Sequence, residues 1–440
     1  MAATEGRGFW VLDDLEPLRE LAADPRLTGA AVHLFTPSPA YRLAAAGGGG
    51  DDEHARPGQG QNPPTGVVLD YYLRDAPAAG SPPLTIEILD RDGKLIHRYT
   101  AAKPDAAAKP DAGAKPDAAG EKGQTAAVAG PTPAAAPDQA AAAKAAPPAA
   151  AAPAAAAAGE GEGEGEPGAE AETAAVSPDL EAAKEPHPPA AQGFNRFVWD
   201  LTYARAKGFP GMVLWARELI APQVAPGSYQ ARLTVGGQAT TVPFTVVKDP
   251  RSSSSQADLE AQQRFLLDIR DRLDVTHDAL RRIRAVRAQL ADLRRRLHAA
   301  AADRTATAGT GQAADPKGAG GGPAVPSDPF SAVRQAAHDL DAKLTAVEEA
   351  LYQTKSHSVE DALNYPIRLD DKLNGLAQEA ALGDYRPTAQ AIAVRDRLVK
   401  AIDAQLAKLD ALLAQDLPSF NRLAAGAGVP TVIPPRTRID

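Results

Sequence analysis

Cysteine is absent from the 440 residues. That excludes disulfides, thiolate nucleophiles and cysteine-ligated zinc, while leaving the compartment open. No apolar run reaches the roughly 18 residues that a membrane-spanning helix needs, so no span is expected. The opening "MAATEGRGFW" has no cationic stretch followed by an apolar one and is not read as a signal peptide. An excess of basic residues is lacking as well: the net charge of −9 argues against a protein built around nucleic acid. The histidines, scattered from His33 to His357, never fall four apart, so no helical zinc site, metal or cofactor is expected. No Gly-x-Ser-x-Gly elbow surrounds "SSSS" at 252–255, which reads as a helix N-cap region and not as a nucleophile.

What is present falls into three textures. The first is low complexity. Residues 101–192 are dominated by Ala, Pro, Gly, Lys, Asp and Glu, with "KPDA" at Lys103, Lys109 and Lys115 and later "GEGEGEGE". Such a stretch cannot bury enough apolar area to offset a backbone ordering cost of about 1–2 kcal/mol per residue, so it reads as a disordered insertion. Residues 46–64, rich in Gly and Pro, read as a linker.

The second texture alternates with period two. "VVLDYYL" puts Val67, Leu69, Tyr71 and Leu73 on one face, and "LTIEI" does the same with Leu84, Ile86 and Ile88. Asp90 to Gly93 then reads as a hairpin turn leading into "KLIHRY". Beyond the insertion, "NRFVWDLTY" aligns Phe197, Trp199, Leu201 and Tyr203, and "PGSYQARLTV" aligns Tyr229, Ala231, Leu233 and Val235. Gly236-Gly237 predicts a tight turn before a last strand with Val242, Phe244 and Val246 inward. Short strands with glycine turns predict an antiparallel Ig-like β-sandwich over 65–250, interrupted by the insertion.

The third texture has helical period. Leu266, Ile269, Leu273, Thr276, Leu280, Ile283, Leu290 and Leu297 fall on three- and four-residue steps, a heptad-like seam. A flexible loop is expected at 301–328. Val333, Ala337, Leu340, Leu344, Val347 and Leu351 follow, then Leu369, Leu373 and Leu376, then Val394 to Leu413. Seams of this kind need partners, so residues 251–425 predict an antiparallel helical bundle or coiled coil, with 426–440 as a tail. The whole reads as a multidomain β + α chain.

Few constellations invite chemistry. Asp13-Asp14 cannot flank one bond, because neighbours on a strand point to opposite faces; they read as strand-end and helix-capping residues. Arg281, Arg284, Arg287 and Arg295 form a candidate basic helix face, although interleaved Asp278 and Asp292 fit a solvated surface. Trp199 belongs to the inward row of its strand, whereas Trp215, in the irregular "GFPGMVLWARELIAP", is the candidate ligand contact. Phe9, Trp10, Val11 and Leu12 form a strand-like apolar segment whose earlier partner strand is expected to be missing, leaving a candidate interaction edge. No nucleophile, base and orienter come together, so a non-catalytic chain is expected.

Several segments in combination resemble the C-terminal part of bacterial sortilin-type (VPS10-like) β-propeller proteins, often labelled glycosyl hydrolases with BNR repeats. They are "GRGFWVLDDLEPLREL", "VHLFTPSPAYRL", "NPPTGVVLDYYL", "LTIEILDRDGKLIHRY", "NRFVWDLTY", "PGSYQARLTV" and "AVEEALYQTKSHSVEDALNYPIRLDDKLNGLA" with "GDYRPTAQ". The resemblance implies that residues 1–45 are the terminal strand remnant of a propeller whose other blades are absent from this chain. It further implies a secreted or periplasmic parent, with that parent's propeller or another protein as partner. Function is then expected to be that of an accessory interaction module. The alternatives are a hydrolase-related protein whose active site lies in the propeller, and a binding module that uses the basic helix face.

Overall fold

The computed structural model describes residues 2–4, 8–10, 14–43, 64–102, 185–309 and 330–435, apart from positions 79 and 217. Among the described residues there are ten strands: β1 Ala2–Thr4, β2 Gly8–Trp10, β3 Val32–Leu34, β4 Ala40–Arg42, β5 Val67–Leu73, β6 Thr85–Asp90, β7 Leu95–Thr100, β8 Gly193–Trp199, β9 Gly227–Val235 and β10 Gln238–Lys248. Helix α1, Glu16–Ala23, precedes β3. After β10 come α2 Gln256–Gly309, α3 Ser331–Leu351, α4 Leu369–Ala381, α5 Ala389–Ala411 and α6 Leu417–Gly426, with a π-helical turn Leu412–Asp416 between the last two. The expected succession of antiparallel sheets and a helical region is present, and the sheet is curled as a half-barrel.

Period-two alternation sets which faces are buried. In β5, Val67, Leu69, Tyr71 and Leu73 have no exposed surface, and the strand pairs antiparallel with β8 so that Leu69 faces Phe197 and Val67 faces Trp199. Of the two main sheets, the larger runs β4-β10-β9-β6-β7 and the smaller β3-β5-β8, while β1 and β2 form a two-stranded sheet of their own. The apolar residues of the two main sheets form one core, with Leu69, Tyr71 and Trp199 from the smaller sheet meeting Ile86, Leu233 and Phe244 from the larger. Fully burying each such side chain contributes roughly 1.5–3 kcal/mol. The β9–β10 turn uses Gly236 and Gly237 at φ of 56° and 83°, as the dipeptide predicts. Gly66 is required for a different reason: a Cβ there would lie 2.2 Å from the Trp199 carbonyl oxygen.

Strand β6 is buried on both faces, which period two alone does not predict. Glu87 is only 5 % exposed, and in register it sits opposite Arg98 of β7 and Arg232 of β9. Both arginines donate to its carboxylate, Arg98 at 2.7 Å and Arg232 at 2.6 Å. A carboxylate between two cations tolerates burial, and its pKa is lowered even though burial alone would raise it.

In the helical region every seam position of α2 from Leu266 to Leu297 is buried, as are all six of α3. The helix begins where the serines predict. Ser255 Oγ accepts from the Asp258 amide at 3.2 Å while the Asp258 carboxylate accepts from the Ser255 amide at 3.1 Å, a reciprocal cap. Asp14 likewise accepts from the Glu16 amide at 3.2 Å at the start of α1, and Asp13 lies outside the described residues.

Several expected boundaries move. Strand β2 is paired: its partner β1 comes from the five residues before Gly6, with Ala3 opposite Phe9. Val11 and Leu12 lie outside the described residues. Within residues 1–45, β3 pairs with β5 and β4 runs parallel to β10, which places residues 32–42 in the two main sheets, whereas β1 and β2 pair with each other. Helix α2 continues through Gly309, so the loop expected at 301–328 starts later, and the remainder of it lies outside the described residues. Most of the 101–192 insertion, with its KPDA repeats, and nearly all of the 46–64 linker lie outside them too. Residues 185–192 are held in place: His187 Nδ1 donates to the Thr100 carbonyl at 2.8 Å, and Asn195 accepts from the Ala191 amide at 3.0 Å. The expected tail also docks. Val429 and Val432 are buried, and Gln289 of α2 exchanges two hydrogen bonds with the Ile433 backbone at 2.8 and 3.0 Å.

Candidate functional site

The stretch between β8 and β9 has no regular period, and there the polar chemistry gathers. It opens on a strained turn. Leu201 is fully buried with φ of 65°, a left-handed conformation costing an L-residue roughly 1–2 kcal/mol. Three bonds hold the turn: Trp199 Nε1 donates to the Thr202 carbonyl at 3.0 Å, and the Tyr203 and Val224 amides donate to the Pro222 and Leu201 carbonyls, each at 2.8 Å. Residues 205–220 then leave the sheets as an arm, and its Ala206, Phe209, Leu214 and Leu219 join the apolar core of the helices.

An irregular arm cannot satisfy its own amides, and the helices supply the acceptors. Tyr352, just after α3, accepts from the Val213 amide through its hydroxyl at 2.9 Å. Asp371 of α4 accepts from the Trp215 and Ala216 amides at 2.7 and 3.3 Å. One turn on, Asn374 accepts from the Ile220 amide at 3.1 Å and donates to the Glu218 carbonyl at 2.9 Å. Gln378 donates to the Ala216 and Glu218 carbonyls, each at 2.8 Å. Residues 371, 374 and 378 lie on one face of α4, which reads the arm's backbone as an adjacent strand would. Asn374→Ala takes the acceptor from the part-buried Ile220 amide, while the Glu218 carbonyl keeps its bond from Gln378. The substitution is expected to cost about 1–3 kcal/mol in chemical denaturation, whereas an exposed α5 substitution such as Lys400→Ala stays within about 0.5 kcal/mol.

The arginines of the basic-face reading turn inward here. Arg284 stacks over Phe209 at 4.5 Å and Tyr352 at 5.2 Å, and its Nε donates to Glu348 at 2.7 Å. Arg287 bonds the same Glu348, which is 2 % exposed, and donates to Asp341 at 2.8 Å. Arg281 donates to the Gly208 carbonyl and to Asp278. Arg295 is the mainly exposed member of the four, and it pairs with Asp292 at 3.2 Å. This is a row of fasteners more than a free cationic surface. Trp215 keeps a half-exposed ring while its amide is tied to Asp371.

A second tie joins the sheets to the helices. Arg42, on β4, is 2 % exposed; its guanidinium donates to Asp384 at 2.8 Å and to Gln262 of α2 at 2.7 Å. Gln262 in turn donates to the Ala380 and Gly383 carbonyls, each at 2.8 Å. Beside this network lies a pocket of about 360 Å³ whose lining includes Arg42, Asp200, Thr202, Gln223, Gln262 and Leu266. Burial lowers the pKa of Arg42 while Asp384 raises it. Trp215 is not among the residues lining this pocket.

Two titratable groups of the helical region, His277 of α2 and Asp370 of α4, have no accessible surface. His277 packs edge-on against Phe209 at 5.4 Å. Among the described residues no group of three or more His, Asp or Glu is placed to hold a metal ion, and no helix is long and apolar enough to cross a membrane. Of this constellation, the sequence alone singles out the arginines and Trp215. Asp370-Asp371 carries a faint signal, a carboxylate pair in the first turn of a helix, but capping explains such a pair equally well. No protein-family model, no curated protein and no solved structure matches the chain.

Proposed function

We propose that this chain is a non-catalytic interaction module, an Ig-like β-sandwich joined to an antiparallel helical bundle, which serves a propeller domain of the same or a parent secreted protein. The observation that supports it is the use made of the buried polar groups. Asp371, Asn374, Glu348 and Arg42 are each bonded to a distant element of the chain. A catalytic acid or base must come within hydrogen-bond reach of a substrate, and His277 and Asp370 have no accessible surface with which to do so. Groups committed in this way hold parts together. Two sheets sharing one core favour the sandwich, and the buried seams of α2 and α3 favour the bundle. The propeller connection rests on the resemblance of the quoted segments, and fold alone does not carry function.

The test is the size and location of the native protein, followed with an antibody raised to α2–α5. A secreted band far above 45.6 kDa supports the module reading. A cytoplasmic band near 45.6 kDa contradicts it.

A further inference from the structure

Nε2 of His277 and Oδ2 of Asp370 lie 3.8 Å apart in the interior, and neither has a hydrogen-bond partner. The other polar atoms of both side chains are committed. Nδ1 of His277 is 3.0 Å from the Lys207 carbonyl oxygen, which only accepts, so Nδ1 carries a proton. Oδ1 of Asp370 accepts from the Asp371 amide at 2.7 Å. Nε2 and Oδ2 therefore present lone pairs to each other unless one of them carries a proton. Two facing lone pairs in a dry site repel, and a single proton turns the contact into an attraction.

We propose that His277 and Asp370 together hold one proton, and that this one-proton pair latches the 205–220 arm onto α2 and α4. The pair sits where the arm, α2 and α4 meet, with the arm contributing the Lys207 carbonyl and the Phe209 ring. The charged and titratable groups around it are Lys207 on the arm, Asp278, Arg281 and Arg284 on α2, Tyr352 after α3 and Asp371 on α4. Burial pushes the Asp370 pKa up to about 8, with the Asp371 charge adding to it, and pulls that of His277 down to about 4. Between those values the folded pair keeps one proton, whichever atom bears it.

The unfolded chain follows the ordinary values of 3.8 for Asp and 6.5 for His. From about pH 4 to 6.5 it also holds one proton on these two groups, so they add no slope there. From 6.5 to 8 it holds none while the folded pair holds one, and stability falls as pH rises. The unfolding constant should then grow about tenfold per pH unit, roughly thirtyfold across that window.

The experiment is chemical denaturation of the full chain and of Asp370→Asn at half-unit steps from pH 5 to 8.5. Asp274, whose pKa burial also raises, contributes alike to both proteins. Asp370→Asn is expected to lose the pair's thirtyfold change between pH 6.5 and 8, and to weaken instead below 6.5 as His277 alone resists protonation. An unchanged slope in the variant overturns the proposal. Should the variant not fold, ¹⁵N spectra of the wild-type His277 ring decide. An Nδ1–H form that does not titrate through pH 6.5 is expected, and an ordinary transition near 6.5 overturns the pair. For the latch itself, hydrogen-exchange protection of the Trp215 and Ala216 amides, corrected for intrinsic rate, should fall above pH 8 in wild type and not in Asp370→Asn. Equal protection in both overturns it.

Discussion

Asp384→Ala is expected to lower the unfolding free energy by about 3–5 kcal/mol, because it strands the Arg42 cation in a buried site where, among the described residues, Gln262 is the partner that remains. Arg42 and its acid are 2 % and 6 % exposed, so water cannot replace the lost carboxylate without opening the junction. The partner substitution separates desolvation from attraction. Arg42→Met combined with Asp384→Leu removes both charges and retains apolar volume, and should recover most of the loss. Denaturant titrations of the two singles and the double give the coupling directly. Additive losses would mean that the pair is not a unit. The network also has slack, since Arg42 Nε and Asp384 Oδ2 lack hydrogen-bond partners. A well-packed apolar pair could therefore equal it in stability while losing the geometry by which Arg42 reaches Gln262.

Phe209→Ala is the second large effect, again about 3–5 kcal/mol. The ring is 4 % exposed and touches three side chains: His277 of α2 at 5.4 Å, the Arg284 guanidinium on the same helix at 4.5 Å, and Tyr352, just after α3, at 5.0 Å. Truncation leaves a cavity and removes the surface on which Arg284 stacks, so Arg284 loses part of its support for Glu348. A loss near 1 kcal/mol by denaturation would show that the arm rests on its backbone bonds to Asp371 and Asn374, not on this anchor.

Periodicity carried most of what was legible. The α2 seam from Leu266 to Leu297, the α3 row and the inward faces of β5, β8 and β9 all lie where apolar spacing puts them, because burial against a neighbour is what such spacing encodes. Turns built on Gly236-Gly237 and caps built on Ser255 are local and equally readable. The arm was not readable as a fastener. Its amides bond to acceptors about 140–160 residues later, and nothing in "GFPGMVLWARELIAP" announces Asp371 or Asn374. Arg42 was missed for the same reason, since its partner Asp384 lies 342 residues away. The arginines of α2 illustrate the converse. In sequence they alternate with acids like a solvated face, yet Arg284 and Arg287 close on Glu348 of α3. Strand β4 joins β10 in parallel, a pairing that requires long-range closure and leaves no alternation signal in three residues.

The sheets and the helical region form one body, fastened by the arm and by Arg42. Scanning calorimetry of the full chain tests it most directly. One transition is predicted, with calorimetric and van 't Hoff enthalpies equal, and both Phe209→Ala and Asp384→Ala should shift it as a whole. Two resolved transitions in the wild-type chain, with either substitution moving only one of them, would contradict it.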